Sequence, residues 1–222
     1  MDKLEFKTDD GILQSLSSSD PKLALLIYTI GDYQLKLRTD YFSSLVRSII
    51  GQQLSARVAL TIWERVKVLC TDITPQAIIG LDAGELKKIG FSGKKISYVE
   101  DLSQKVLNGE INLNGFDVLP DDEIIGQLVK VKGIGRWTAE MFLIFSLGRL
   151  DVLSLGDLGL KRSIQWLYGL KKLPAERTMG TYAKKWAPYR TVASLYLWEV
   201  INRGLIKESN EQLRLNADDP LL

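Results

Sequence analysis

Two short segments carry residues that could bind an anion and perform acid–base chemistry. The first, residues 132–139, reads Lys-Gly-Ile-Gly-Arg-Trp-Thr-Ala and lies between two predicted helices. Gly133 and Gly135 can adopt positive φ and leave their backbone N–H groups unobstructed by a Cβ. Because these donors precede a helix N-terminus, where the helix dipole favours negative charge, the turn could hold a phosphate. The same pattern is also typical of a purely structural corner between helices.

The second segment is Ser154-Leu155-Gly156-Asp157, immediately before another predicted amphipathic helix. The carboxylate of Asp157 could act as a general base or stabilise a developing positive charge. An aspartate in this position is equally a good helix N-cap, which contributes about 1 kcal/mol to stability. Taken alone, the segment leaves a catalytic and a structural role open.

The composition excludes most other catalytic chemistry. The 222 residues include no histidine and one cysteine, Cys70. A Ser-His-Asp or Cys-His nucleophile therefore has no imidazole base. A single thiol assembles neither a Cys/His zinc site nor an iron–sulfur cluster, so we expect no required cofactor. Acid–base work must come from carboxylates, lysine, tyrosine or water.

The charge distribution and hydropathy bear on partner and location. The formal net charge is only +2, but between Lys161 and Arg190 a single acidic residue, Glu176, opposes the lysines and arginines. Such a segment could follow a phosphate backbone, although a solvated helix face explains most charge runs. No apolar stretch approaches the roughly 18 residues of a membrane span, and the N-terminus lacks a signal-peptide pattern. We expect a cytosolic or nuclear protein.

The residues of the two segments must be positioned by helices, because helical periodicity covers almost the whole chain. It predicts about ten helices. Helices are predicted over 121–129, 136–147, 158–168 and 178–202, and no alternating segment is long enough for a sheet. The predicted fold class is all-α, and the positions of glycine and proline favour two packed helical lobes.

Taken together, the hairpin and Asp157 resemble the helix-hairpin-helix DNA glycosylase superfamily, in which the hairpin precedes a catalytic aspartate. Residues 186–198, beginning Trp-Ala-Pro-Tyr-Arg-Thr, are similar to the 3-methyladenine DNA glycosylase II branch, as are residues 51–55 and 90–95. The resemblance runs from about Tyr41 to Trp198. It implies a lobe at 41–150 that carries the hairpin, a second lobe at 1–40 plus 151–222 that carries Asp157, and no N-terminal β domain.

The resemblance implies an enzyme of base excision repair that hydrolyses the N-glycosidic bond of 3-methyladenine, 7-methylguanine and similar bases. Such bases are cationic and leave without a general acid, so Asp157 alone could stabilise the oxocarbenium-like sugar. Trp137 stands where bifunctional lyases of the superfamily hold a Schiff-base lysine, so no lyase activity is expected. The expected partner is double-stranded DNA with alkylated bases, bound by a monomer in the nucleoid or nucleus. A non-catalytic protein that uses the hairpin only for lesion recognition is the alternative.

The resemblance also assigns expected contacts. Trp137, Trp198 and Met141 would form the base pocket through cation–π contact, although Trp198 is equally interpretable as core. Gln53 or Leu54 would fill the gap left in the duplex, and Gln53 is also interpretable as a helix cap. Further DNA contacts are expected at Gly133, Gly135, Lys132, Arg136, Thr138 and Lys95, the last of which could be merely a solvated charge. The carbonyls of Val129, Val131 and Gly133 would hold Na⁺ or K⁺, an expectation from resemblance alone.

Two positions depart from the family pattern. Lys132 replaces the proline that usually precedes the first hairpin glycine, which removes rigidity and adds a cation near the expected phosphate. The loop before the catalytic aspartate often reads Pro-x-Asp-Asp, and Gly156 replaces the first carboxylate. How this loop is held is therefore open at the level of sequence.

Overall fold

The computed structural model describes residues 2–207, and within this range the chain forms twelve α-helices and one two-stranded sheet. The all-α class is confirmed. The helices are α1 Gly11–Ser19, α2 Pro21–Ile30, α3 Tyr41–Gly51, α4 Ala56–Leu69, α5 Pro75–Gly80, α6 Ala83–Ile89, α7 Gly93–Leu107, α8 Asp121–Leu128, α9 Arg136–Phe145, α10 Leu158–Tyr168, α11 Glu176–Ala183 and α12 Arg190–Asn202. Short 3₁₀ helices cover Leu113–Val118 and Leu205–Lys207.

Side-chain caps determine where many of these helices begin. An oxygen of the N-cap side chain accepts one or two first-turn N–H groups in each case, which satisfies donors that have no partner within the helix. The capping residues are Asp10 for α1, Asp20 for α2, Asp40 for α3, Ser55 for α4, Thr74 for α5, Asp82 for α6, Ser92 for α7 and Asp157 for α10.

The small sheet was not predicted. Strands β1 (Lys3–Phe6) and β2 (Tyr33–Lys36) pair antiparallel, with Leu4 opposite Leu35. Each strand has only four residues. A stretch this short does not show a recognisable alternation of apolar and polar residues, and the pairing joins segments separated by two helices.

The single helix predicted over 178–202 is wrong. The structure contains α11 and α12, separated by a turn that includes Pro188 and buries Trp186 completely. Proline lacks the N–H that a helix interior requires and clashes with the preceding turn, so the helical pattern on either side cannot be continuous.

The chain divides into two units. The hairpin unit, Leu37–Leu147, contains α3 to α9; its core includes the fully buried Leu45, Val46 and Ile49 of α3. The aspartate unit takes the chain up to Lys36 and from Gly148 onward, and contains the sheet, α1, α2 and α10 to α12. The lobe predicted at 41–150 starts and ends a few residues later than the hairpin unit. None of the described helices is long and apolar enough to span a membrane.

Candidate functional site

Asp157 begins α10 and is nearly buried, with 8% of its surface exposed. Its Oδ1 accepts the backbone N–H of Leu160 at 2.7 Å and the indole N–H of Trp198 at 3.2 Å. A Cβ at Gly159 would lie 3.0 Å from the same oxygen, so glycine keeps this side of the carboxylate open. The capping role that the sequence left open is therefore real, and a second donor from α12 fixes the orientation of the carboxylate.

Trp198 was predicted to stack on a base or to be part of the core. The structure gives its half-buried indole a specific polar role, donation to Asp157. Buried tryptophan N–H groups usually require such a partner. Stacking on a base stays a prediction, whereas the contact with Asp157 makes Trp198 a positioning residue for the carboxylate.

The loop before Asp157 is held without the carboxylate that the family pattern places there. The N–H of Asp157 donates to the Ser154 carbonyl at 3.2 Å and closes a turn. Upstream, the Arg190 guanidinium donates to both carboxylate oxygens of Asp151, at 2.7 and 2.6 Å. The Thr191 hydroxyl donates to one loop carbonyl at 2.7 Å and accepts a loop N–H at 2.9 Å. The first residues of α12 thus hold the segment at 149–152, which leads into this loop.

The Arg190–Asp151 pair has an electrostatic signature in both partners. The hydrogen bonds from Arg190 lower the pKa of Asp151 below its ordinary value, despite the opposing effect of burial. The same bonds raise the pKa of Arg190. A bidentate charge-assisted pair of this geometry is among the stronger side-chain interactions in proteins.

The hairpin between α8 and α9 uses its two glycines differently. Gly133 adopts φ +79°, and a Cβ there would overlap the ring of Tyr98, so only glycine fits. Gly135 is the N-cap of α9 with φ −93°. Of the two glycines that can adopt positive φ, Gly135 does not, because an N-cap residue takes an extended conformation. Since glycine offers no capping side chain, the first-turn N–H groups of α9 carry no side-chain cap.

Lys132 is held by an aspartate that sequence reasoning missed. Its backbone N–H donates to Asp101 Oδ2 at 2.9 Å, and its ammonium lies 3.6 Å from Oδ1. Burial alone would raise the pKa of Asp101, but hydrogen bonds from the Lys132 N–H and the Lys105 ammonium lower it overall. The N–H that proline would lack is thus used to restrain the hairpin, which compensates for the rigidity lost with that proline.

A pocket of about 470 Å³ opens beside the hairpin, entirely within the hairpin unit. Trp137, half-exposed, shares one face of α9 with Met141 and Phe145, and the three side chains line the pocket. Arg38 and Arg47 also line it, and the Arg38 guanidinium lies 5.6 Å from the Phe145 ring centre. Neither arginine was predicted. The only available signal was the position of Arg47, one helical turn before the 51–55 motif.

Gln53 lies on the edge of the same pocket, whereas Leu54 does not line it. Gln53 adopts a left-handed φ of +57°, which is uncommon for a residue with a side chain, and its side chain is exposed. The interpretation of Gln53 as a helix cap is wrong, because Gln52 is the C-cap of α3 and Ser55 the N-cap of α4.

The remaining predicted DNA contacts differ in exposure. Arg136 is largely exposed and pairs with Glu140 at 2.9 Å. Thr138 is only 6% exposed, so its side chain is committed to the interior and only its N–H remains as a predicted contact. The Lys95 ammonium donates to the Ile50 carbonyl at 2.7 Å, and burial lowers its pKa. Lys95 therefore serves the C-terminus of α3 rather than standing as a free surface charge.

Two of the three carbonyls expected to hold a monovalent cation already accept hydrogen bonds. The Val131 carbonyl accepts the N–H of Ile134 at 3.1 Å, and the Gly133 carbonyl accepts the Gln52 amide at 2.7 Å. Each carbonyl keeps a second lone pair, so a cation on this set, with Val129, stays a prediction. Across residues 2–207, no cluster of three or more His, Cys, Asp or Glu side chains could hold a metal ion.

Comparison with known proteins agrees with this geometry. Residues 46–188 match the family model described as "HhH-GPD superfamily base excision DNA repair protein". The chain is 32% identical to DNA-3-methyladenine glycosylase 1 of Schizosaccharomyces pombe over 83% of this chain and 84% of that protein. A DNA-3-methyladenine glycosidase from Bacillus halodurans superposes with a TM-score of 0.84 and 37% identity, covering 93% and 95% of the two chains. The S. pombe 3-methyladenine DNA glycosylase in complex with abasic DNA gives a TM-score of 0.78 and 30% identity, covering 87% and 97%.

Proposed function

We propose that this chain, which belongs to the HhH-GPD superfamily of base excision DNA repair proteins, is a DNA glycosylase that hydrolyses the N-glycosidic bond of alkylated bases such as 3-methyladenine and 7-methylguanine. Membership of the superfamily confirms the resemblance seen in the sequence. The observation that carries the activity is the carboxylate of Asp157, nearly buried and oriented by Leu160 and Trp198. Proteins named DNA-3-methyladenine glycosylase among its relatives support the substrate class.

The chemistry needs one fixed negative charge. A base alkylated at N3 or N7 carries positive charge and departs as a neutral molecule, so no acid is needed to protonate it. The developing positive charge on the sugar is stabilised by Asp157, whose low exposure strengthens the electrostatic interaction relative to water. The same carboxylate can orient or deprotonate the attacking water. A chain without histidine is thus chemically sufficient for this reaction.

We assign DNA engagement to the hairpin unit. The first-turn N–H groups of α9, with exposed Lys132 and Arg136 nearby, would bind a backbone phosphate. Between the two candidates for the wedge, which are both exposed, we choose Gln53, because it lines the same pocket as Trp137 and has a left-handed backbone. The pocket lined by Trp137 and Met141 would receive the extruded base, whose removal from the stack costs a few kcal/mol.

We further propose that the enzyme is monofunctional and acts as a monomer without zinc or an iron–sulfur cluster. Trp137 supports the first point, because an indole cannot form the imine through which a lyase cleaves the strand. Borohydride treatment during turnover should therefore leave no covalent protein–DNA adduct. A trapped adduct would contradict the assignment of Trp137.

The activity is tested by incubating the protein with methylated duplex DNA and measuring free 3-methyladenine and 7-methylguanine. Asp157→Asn is the matched variant, because asparagine caps a helix as well as aspartate and so preserves α10. We expect loss of release by at least about 100-fold with DNA binding retained. A wild-type protein that binds DNA and releases no base would instead establish the non-catalytic alternative.

A further inference from the structure

One hydrogen bond connects the 51–55 motif to the hairpin, which are separate motifs in the sequence. We define the wedge loop as residues 52–55, between α3 and α4. The side-chain amide of Gln52, at the end of α3, donates to the backbone carbonyl of Gly133 in the hairpin at 2.7 Å. Both residues belong to the hairpin unit. The wedge loop and the hairpin are therefore joined directly, although 81 positions separate them in the chain.

The Gly133 end of this bond is rigidly held. The ring of Tyr98 covers the position where a side chain would stand, and the left-handed backbone of Gly133 fixes the direction of its carbonyl. One residue earlier, the N–H of Lys132 donates to Asp101 at 2.9 Å. Two residues of α7 thus support the carbonyl that Gln52 uses.

At the other end of this hydrogen bond, Gln52 directly precedes a residue with a strained backbone. Gln53, the next residue, adopts a left-handed φ of +57°. A residue with a side chain keeps such a conformation only when its surroundings impose it. The amide of Gln52 restrains the loop immediately before this residue, and the Lys95 ammonium restrains the helix end just upstream, at Ile50.

We propose that Gln52 is a positioning residue that couples phosphate binding at the hairpin to insertion of Gln53 into the duplex. This inference rests on the proposed function. With the bond intact, a phosphate bound at the N-terminus of α9 also fixes the position of Gln53 relative to the stacked bases. Without it, the hairpin still binds phosphate, but the wedge loop loses its fixed distance to the bound backbone.

The test compares Gln52→Met with the wild type in two backgrounds, native and Gln53→Ala. Methionine keeps the length of the side chain and removes the donor. The matched control is Gln14→Met, which removes a similar amide-to-carbonyl bond, to Asp9 at 3.1 Å, in the aspartate unit. The measurements are single-turnover base release, the Kd for lesion DNA, and the fluorescence of 2-aminopurine placed beside the lesion, which reports unstacking.

We expect Gln52→Met to reduce the single-turnover rate and the 2-aminopurine signal by about fivefold, the effect of losing one neutral hydrogen bond. The Kd should change by less than about twofold. In the Gln53→Ala background the same substitution should have almost no further effect, because the residue it positions is gone. Gln14→Met should match the wild type in all three measurements.

Two results would overturn the proposal. Equal effects of Gln52→Met in both backgrounds would show that Gln52 does not act through Gln53. A loss of thermal stability and DNA affinity with an unchanged fluorescence signal would show that Gln52 only completes the end of α3. Failure of the proposed function is distinguishable, since a wild type that releases no base still reports the coupling through binding and fluorescence.

Discussion

Replacing Trp198 with phenylalanine tests whether the indole N–H positions Asp157, the carboxylate that we propose to be catalytic. The substitution keeps an aromatic ring in a half-buried position of α12 and removes only the donor that lies 3.2 Å from Asp157 Oδ1. A hydrogen bond to a charged group contributes about 1.5–3 kcal/mol, and a distance of 3.2 Å places this bond at the weaker end. A loss of about 1.5 kcal/mol corresponds to a rate reduction of roughly tenfold.

The assay is single-turnover release of 3-methyladenine at saturating enzyme, so that DNA affinity does not enter the rate. Trp166→Phe, the same substitution within α10, is the matched control and should leave the rate within about twofold of the wild type, as surface and partly buried changes away from a site usually do. The reasoning would be refuted if Trp198→Phe retained the wild-type rate. It would also be refuted if the Asp157→Asn and Trp198→Phe effects were additive, because the N–H that phenylalanine lacks can act only through the carboxylate.

Three further substitutions test other parts of the structure. Gly133→Ala should destabilise the fold by about 2–4 kcal/mol, because it places a side chain on a left-handed backbone and against the ring of Tyr98. Gly135→Ala meets open space, but alanine is a poorer N-cap than glycine, so the substitution should cost less than about 1 kcal/mol and weaken DNA binding. Equal urea midpoints of the two variants would contradict this. Arg190→Gln should lower both stability and excision at pH 7. The pKa of Asp151 is lower in the folded protein than in the unfolded chain. Its contribution to stability is therefore fully present above the unfolded pKa of about 3.9 and is lost as pH falls through the folded value. The free energies of unfolding of wild type and variant, measured by urea titration, should converge as pH falls below about 4. Arg38→Gln should raise the excision of cationic 7-methylguanine relative to neutral hypoxanthine by up to about fivefold. The reason is that Arg38 lines the pocket and would repel a cationic base by about 1 kcal/mol, the interaction of two exposed charges at close range in water. An unchanged ratio in a lesion panel would show that the base does not approach Arg38.

Local signals in the sequence were sufficient for the helical class and for the hairpin, because caps, glycines and apolar periodicity act over a few residues. Periodicity failed where its cause was not local. The break between α11 and α12 follows from Pro188 and the burial of Trp186, and the sheet pairs segments on either side of two helices. Of the two glycines that could adopt positive φ, only Gly133 does, since Gly135 is itself the N-cap of α9 and is extended.

The contacts that support the site could not be predicted from the sequence either, because they join residues that lie far apart in the chain. Asp101 holds Lys132 across 31 positions, and Gln52 reaches Gly133 across 81. No spacing rule links such residues, because their proximity depends on how α3, α7 and the hairpin pack. One departure from the family pattern nevertheless indicated where to look, as the N–H of Lys132, which a proline would lack, is bonded to Asp101.

The observed N-cap role of Asp157 and its proposed catalytic role are compatible in one arrangement. An N-cap aspartate is oriented by the helix it begins, because its oxygen must face the first-turn N–H groups. That constraint, with the indole of Trp198, gives Asp157 the fixed orientation that electrostatic stabilisation of a developing charge requires. Asp157→Ala would therefore remove the cap and the charge together, at a cost of about 1 kcal/mol in stability that Asp157→Asn avoids. If both variants lose base release equally while only the alanine variant loses stability, the negative charge is what the reaction requires, and the capping contact serves to orient the carboxylate.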